Sequence, residues 1–153
     1  MKWKRRICAA GAVVLAIAGV AYAQMDPHEL IAARVNGYRQ TGAAFKSLSD
    51  QLKSETPVKV VLRRAARTIA VTATDQYKWF AAGSGPAAGV KTHAKAVIWT
   101  DAARFREVQA RFQREADLMT KVVETDDIGA MKKQAKALGG ACAACHQKFR
   151  EKD

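Results

Sequence analysis

The sequence predicts an all-α fold, an antiparallel four-helix bundle formed by a single domain. Four stretches carry apolar or small residues at alternating steps of three and four, which places them on one face of a helix. Capping or helix-breaking residues separate these stretches, and most of the links between them are short, as in an antiparallel bundle. No stretch alternates convincingly with a period of two, so we expect no sheet.

The first helix is predicted to begin at Asp26 and Pro27. The Asp26 carboxylate can accept hydrogen bonds from free N–H groups, Pro27 suits the first turn, and Glu29 can complete a capping box. The apolar or small face of this helix consists of Ile31, Val35, Tyr38, Gly42, Phe45, Ser49 and Leu52.

The second helix is predicted to begin at Thr56 and Pro57 and to end before the breaker run of residues 83–86. Its apolar face consists of Val58, Leu62, Ala65, Ile69, Ala73 and Phe80. Residues 87–99 then form the longest connection, which we expect on the surface with room for a short helical turn.

Thr100 is the predicted cap of the third helix, with Asp101 favourable at its positive end. The apolar face of the third helix consists of Phe105, Val108, Phe112, Met119 and Val122. The fourth helix is predicted to begin near residues 125–127. Its apolar face consists of Ile128, Met131, Ala135, Leu138, Cys142, Cys145 and Phe149, so both of its cysteines are expected on the buried side.

Residues 1–23 have the order of a secretory signal peptide: a basic segment, an uncharged apolar stretch and the small-x-small site Ala21-Tyr22-Ala23. The alternative is an uncleaved anchor, but the apolar stretch is short for a bilayer, which needs about 20 residues. We therefore expect a periplasmic mature domain of residues 24–153. Cys8 leaves with the signal peptide, so Cys142 and Cys145 are the cysteines that remain.

The net charge is +12 for the whole chain. Without the four basic residues of the signal peptide, 22 Lys and Arg and 14 Asp and Glu remain, which gives a net charge of +8. These charges are scattered among acidic residues along the helices, which is typical of a solvated surface. We find no nucleic-acid motif, and we expect no nucleic-acid partner and no membrane association after cleavage.

Residues 142–146, Cys-Ala-Ala-Cys-His, form the C-x-x-C-H pattern of covalent haem attachment. Two thiols three positions apart on one helical turn can each add to a haem vinyl group, and the next residue is then directed at the iron. The motif predicts one haem c per chain, held within the bundle near the C-terminal helix. Cys142 and Cys145 would carry it through two thioether bonds, and His146 would be the axial iron ligand.

Three other uses of the two cysteines are weaker. A structural zinc site needs about four ligands, and the chain offers only His28 and His93 beyond the motif, without ligand spacing. A redox-active dithiol would need a thioredoxin-like βαβ context, which is absent. A disulfide across so short a loop would remove little chain entropy.

The stretch of residues 140–150, Gly-Ala-Cys-Ala-Ala-Cys-His-Gln-Lys-Phe-Arg, resembles the cytochrome c′ family, the class II c-type cytochromes. The resemblance covers essentially the whole mature chain. The motif lies near the C-terminus, whereas class I cytochromes c usually carry it near the N-terminus. Residues 98–101, Ile-Trp-Thr-Asp, also resemble the start of the family's third helix. The resemblance implies a four-helix bundle with haem between the helices and often a homodimer.

The resemblance also implies roles for three further residues. The family has a basic residue at the position of Arg150, which lies four residues after His146 and could act electrostatically on it. Residues 34–38, from Arg34 to Tyr38, align with the family's distal side of the haem, so both residues are candidate haem contacts. Tyr38 then lies where the six-coordinate members have a methionine, and a later register would place Ala43 there.

Either register predicts a high-spin, five-coordinate iron, because neither supplies a methionine. Met25 lies at the frayed start of the first helix, and Met119 and Met131 fit packing positions. Tyrosinate ligation by Tyr38 stays a minor alternative, because a phenol has a pKa near 10. His28 and His93 read as surface residues, and Trp79 and Trp99 as packing residues.

The first functional hypothesis is a periplasmic electron-transfer protein whose redox partner is unknown. The second is a module that binds nitric oxide or carbon monoxide for sequestration or sensing, since an open apolar distal side admits small gases. An enzyme such as a peroxidase is not expected, because the sequence shows no distal His–Arg arrangement.

Overall fold

The computed structural model describes residues 25–152, so the predicted signal peptide of residues 1–23 lies outside the described residues. The helices are α1 (Pro27–Lys53), α2 (Lys59–Asp75), α3 (Val97–Thr100), α4 (Ala102–Val122) and α5 (Ile128–Phe149). The four long helices pack in a ring, α1 on α2, α2 on α4, α4 on α5 and α5 on α1. Short links make α1 and α2, and likewise α4 and α5, antiparallel neighbours. The predicted all-α four-helix bundle is confirmed.

Two helix starts agree with the sequence analysis, which predicted the Asp26 cap of the first helix and a start near residues 125–127 for the fourth. The Asp26 carboxylate accepts a hydrogen bond from the His28 N–H at 2.7 Å, and Pro27 is the first residue of α1. The Asp127 carboxylate accepts from the Ala130 N–H at 2.8 Å at the start of α5. Each carboxylate satisfies an N–H group that the first helical turn leaves without a partner.

Two predicted caps are wrong by one or two residues. Val58 precedes α2, and its N–H donates to Gln51 Oε1 at 2.7 Å, so Thr56 does not cap this helix. Thr100 is the last residue of α3, because residues 97–100 close a helical turn of their own in which the Asp101 N–H donates to the Val97 carbonyl at 2.9 Å. Asp101 therefore precedes α4.

The second helix is also shorter than its apolar pattern predicts. It ends at Asp75 and passes into a 3₁₀ turn over Gln76–Lys78, so Phe80 lies in the connection and not on the helix. The side-chain amide of Gln76 donates to the Ala73 carbonyl at 2.9 Å, a group that a further α-helical turn would use.

The main core fills the half of the bundle away from the C-terminus of α5. Its largest side chains, each no more than 1% exposed, are Leu48, Leu62, Ile69, Met119, Met131 and Leu138. The predicted packing role of the two methionines is confirmed. Leu48 was not on the predicted face of α1, whereas Val35, Tyr38 and Phe45, which were, are only half-buried.

The long connection closes the other end of the bundle. Gly83 and Gly89 adopt positive φ angles of 83° and 78°, which suit glycine and allow the chain to turn. The chain then pairs with residues that follow α5: the Lys95 N–H donates to the Phe149 carbonyl at 3.0 Å, and the Glu151 N–H donates to the His93 carbonyl at 2.7 Å. This isolated bridge is the one β-type pairing among residues 25–152.

Candidate haem site

A cavity of about 460 Å³ lies at this closed end, between α1, α4, α5 and the connection. Its size falls within the range of roughly 300–1,000 Å³ that is usual for ligand and cofactor sites. Apolar side chains form most of the wall, namely Val35, Phe80, Ile98, Phe105, Val108, Phe112 and Phe149. A second, smaller core of aromatic and aliphatic residues supports it from behind.

The chemistry-bearing wall belongs to α5, where Cys142, Cys145 and His146 all line the cavity. Both thiols are free and half-buried, so the structure shows no disulfide between them. Burial raises the pKa of both thiols, that of Cys145 to about 11. Burial and the nearby charge of Arg150 lower the pKa of His146, which favours the neutral imidazole that binds metals.

Arg150 also lines the cavity, on the same side as His146, and is the C-cap residue of α5. The helix ends at Phe149, and Arg150 is extended, with φ −112° and ψ 136°. Its N–H still donates to the His146 carbonyl at 3.2 Å, which keeps the two residues adjacent. Pairing of this segment with the connection explains the early end of the helix.

Arg34 is buried, with 3% of its surface exposed, on the α1 side of the cavity. Its guanidinium donates to three neutral oxygens, the Trp79 carbonyl at 3.3 Å, the Ser84 carbonyl at 3.1 Å and Thr92 Oγ1 at 3.0 Å. It also lies 4.8 Å from the centre of the Phe80 ring. Burial lowers its pKa, although arginine stays charged in proteins.

Tyr38 lies on the same wall, one helical turn from Arg34. Its hydroxyl donates to Gln76 Oε1 at 3.1 Å, and its ring packs edge-to-face with Trp79, the ring centres 5.4 Å apart. Burial is the main cause that raises the pKa of Tyr38 far above 10, so the phenol stays protonated at neutral pH. The hydroxyl is already engaged by Gln76, which disfavours tyrosinate ligation.

The structure brings Tyr38, not Ala43, to the cavity wall, which supports the first of the two registers. No methionine of residues 25–152 lines the cavity. Met25 precedes α1, and the other two methionines of this range lie in the main core. His28 is exposed and does not line the cavity, as predicted.

Five polar wall residues were missed by the sequence analysis, namely Arg39, Gln76, Thr92, His93 and Gln109. Gln109 follows Val108 on the predicted apolar face of α4, and a polar residue there is a signal that could have been noticed. Gln76 and Thr92 carry no such signal, because they reach the wall through the 3₁₀ turn and the connection. His93 reads as a surface loop residue and is exposed, yet its loop is held against the end of α5.

These residues fit a haem. The cavity is apolar, two unpaired thiols and an imidazole follow each other along one of its walls, and Arg34 offers a buried positive charge that haem carboxylates could meet. By contrast, no three His, Cys, Asp or Glu side chains within residues 25–152 cluster as a metal site, whereas zinc would need about four ligands.

The C-x-x-C-H motif on a helix that lines an apolar cavity of the bundle assigns the chain to the c-type haem proteins. The chain belongs to the cytochrome c′ family, whose sequence profile matches residues 29–150. The cytochrome c′ of Pararhodospirillum photometricum is 30% identical over 126 residues, covering 82% of this chain and 99% of that protein. The cytochrome c′ of Rhodospirillum rubrum is 31% identical over 147 residues, covering 96% and 98%.

Solved structures of cytochromes c′ have the same fold as this chain. The cytochrome c′ of Thermochromatium tepidum superposes with a TM-score of 0.77 at 25% identity, covering 84% of this chain and 98% of that one. A cytochrome c′ with ligand-controlled dimer dissociation superposes at 0.76, with the same identity and coverage. Within the described part of the chain, no helix has the length and apolar character to cross a membrane.

Proposed function

We propose that this chain is a periplasmic electron-transfer protein that carries one covalent haem c with a high-spin, five-coordinate iron. The observation that carries the proposal is the cavity wall of α5, where two free thiols and the histidine that follows them open onto the same apolar space. Bound there, the haem iron would supply one-electron redox chemistry and an open coordination position. We expect no enzymatic role.

Cys142 and Cys145 would hold the haem through thioether bonds, and His146 would be the axial ligand. After acid-acetone extraction of the mature protein, the colour should stay with the polypeptide, and the mass should exceed that of the chain by one haem. Cys145→Ala should weaken attachment. Free haem in the extract of the unmodified protein would refute covalent binding.

Arg34 and Arg150 would act on the haem through their charge. Arg34 fits a haem carboxylate because its present partners are neutral oxygens and its side chain is buried on the wall. Arg150 lies beside the proximal His146 and lowers the pKa of that imidazole. Replacing Arg150 with Gln should shift the reduction potential, whereas Lys152→Gln, two residues further along the chain, is the matched surface control.

A five-coordinate ferrous iron is expected because the wall facing α5 offers Tyr38, whose phenol is protonated, and no methionine. Resonance Raman or magnetic circular dichroism of the ferrous protein tests this directly. A low-spin, six-coordinate spectrum would contradict it, and Met25 would be the first ligand to mutate. If the Tyr38 ring is the gate of the distal side, Tyr38→Ala should speed carbon monoxide binding.

A second candidate function is the binding of nitric oxide or carbon monoxide. The apolar wall favours it, since a small neutral ligand needs no charged partner there. A cytochrome c prime variant from Alcaligenes xylosoxidans has been solved as its nitric oxide complex. Optical spectra with and without each gas test binding. Loss of electron transfer without loss of gas resistance in a deletion strain would favour the redox role.

Export and assembly complete the proposal. Cleavage after Ala23 should leave Gln24 at the N-terminus, and mass analysis of the mature protein checks this. A chain that retains residues 2–6 and fractionates with membranes would be an anchored protein instead.

We further propose a homodimer, supported by the dimer of the related cytochrome c′ described above. Analytical ultracentrifugation of the haem-loaded protein decides between dimer and monomer.

A further inference from the structure

Two buried glutamines form a hydrogen-bonded unit on the wall of the cavity. Gln76 is 2% exposed and Gln109 is 4% exposed. The Gln76 amide donates to the Ala73 carbonyl at 2.9 Å and to the Gln109 carbonyl at 3.2 Å, and the Gln109 amide donates to the Gln76 carbonyl at 3.5 Å. The unit therefore joins the end of α2 to the middle of α4.

This arrangement fixes the direction of the hydrogen bond to Tyr38. Because the Gln76 amide nitrogen donates to two carbonyls, its Oε1 is the atom left to face Tyr38, and it can only accept. The Tyr38 hydroxyl, 3.1 Å away, must therefore donate. A tyrosine has a single O–H donor, so none is left for a ligand in the cavity.

The ring of Tyr38 is also held from the side. Trp79 packs edge-to-face with it, with the ring centres 5.4 Å apart and an interplanar angle of 85°, and the centre of the Phe80 ring lies at 6.4 Å. Trp79 in turn rests on Gly37, where a methyl group would lie within 2.8 Å of the indole. A change of the Tyr38 rotamer would thus need movement of the connection as well.

We infer that Gln76 and Gln109 clamp Tyr38, so that it meets a distal ligand with its ring and without its hydroxyl. Gln76 is then a positioning residue that sets ligand selectivity: a neutral diatomic such as carbon monoxide is accepted, and an anion such as cyanide, which gains from a hydrogen-bond donor, is disfavoured. This inference rests on the proposed haem function and extends it to the choice of ligand.

The clamp itself is tested by the hydrogen-bond state of Tyr38. Residues 24–153 contain two tyrosines, so a Tyr77→Phe background leaves Tyr38 alone. Ultraviolet resonance Raman of the haem-loaded protein should show a donating phenol in this background. Gln76→Leu should abolish that signature, and Gln76→Glu should retain it at a pH where its carboxyl is protonated, because that group can accept from Tyr38 and donate to one of the two carbonyls. A donating Tyr38 in Gln76→Leu would overturn the clamp.

Gln113→Leu is the matched control. Gln113 also joins α4 to α2, through Thr74 Oγ1 at 3.4 Å, but it does not line the cavity. It should leave the Tyr38 signature unchanged. A loss of donation in this variant as well would mean that helix packing in general, rather than Gln76, holds Tyr38.

Selectivity is read as the affinity of the ferric protein for cyanide relative to that of the ferrous protein for carbon monoxide. Gln76→Leu should raise this ratio about tenfold, the effect of one released hydrogen bond. Gln113→Leu and the Tyr38→Phe, Gln76→Leu double variant should not raise it. Loss of donation with an unchanged ratio would overturn the selectivity role. A six-coordinate low-spin wild type would overturn the proposed function, while the tyrosine spectra would still decide the clamp.

Discussion

Replacing either of two glycines of α1, Gly37 or Gly42, with alanine is expected to affect the free energy of unfolding differently. A Cβ added at Gly37 would lie within 2.8 Å of the ring atoms Cζ2 and Cζ3 of Trp79, closer than real Cβ contacts come. A Cβ added at Gly42 would meet nothing within 4 Å. Gly37→Ala must therefore displace the indole, whereas Gly42→Ala adds its methyl group at the cavity wall without a clash with another protein atom.

The magnitudes follow from two effects. Alanine in place of glycine inside a helix gains about 0.5–1 kcal/mol at either position. Overpacking against Trp79 costs about 1–3 kcal/mol at Gly37 alone. Because the helix gain is shared, the free energies of unfolding of the two variants should differ by about 1–3 kcal/mol. For a domain of this size that separates their Tm values by roughly 4–12 °C.

The assay is denaturant unfolding of the haem-loaded variants, followed by helical circular dichroism and by haem absorption. Coincident transitions justify reading each curve as a single free energy. Gly37→Ala should be the less stable of the two variants. Equal shifts in the same direction would show that the indole moves aside freely and that Gly37 is not a packing requirement.

Three further predictions follow from burial. Burial keeps Tyr38 protonated in the folded chain, whereas the unfolded chain loses this proton near pH 10, so the free energy of unfolding should be highest below pH 10 and fall above it. Denaturant unfolding curves should show a smaller fall for Tyr38→Phe, and the exposed Tyr77→Phe is the control. Arg34→Leu leaves buried carbonyls without a donor and should lower the free energy of unfolding by about 1–3 kcal/mol, measured by denaturant unfolding. Arg34→Lys should not recover this stability, because lysine lacks the planar fork of donors. Leu48→Ala, at a fully buried site, should cost about 2–5 kcal/mol in the same assay, whereas Val60→Ala, 61% exposed, should cost well under 1 kcal/mol.

The sequence predicted the parts of the fold that local chemistry determines. Asp26 and Asp127 cap their helices because a carboxylate before a helix needs only the N–H groups that follow it. Most positions of the four apolar faces were predictable for the same reason, since helical periodicity is a property of each segment alone; the exceptions are Val58, which is exposed and precedes α2, and Phe80, which follows it. The C-x-x-C-H motif is likewise local, and this is why its three chemical residues could be placed together on one wall.

The errors arise where residues distant in sequence decide the local structure. The second helix ends early because Gln76 is bound to Gln109, 33 residues further along the chain. Arg150 leaves the helical conformation because the residues that follow α5 pair with the connection near His93. Neither contact leaves a periodic trace in the sequence, so apolar spacing extended the second helix too far and gave no sign of the extended backbone at Arg150.

The same distant contacts explain why the distal wall depends on the connection. Arg34 ties the connection to α1 at Ser84 and Thr92, and the backbone of residues 93–95 ties it to the chain beyond α5. Together, these two attachments hold Thr92, His93 and Ala94 on the cavity wall. The helices could form from their own sequences, but the cavity needs the connection held from both sides.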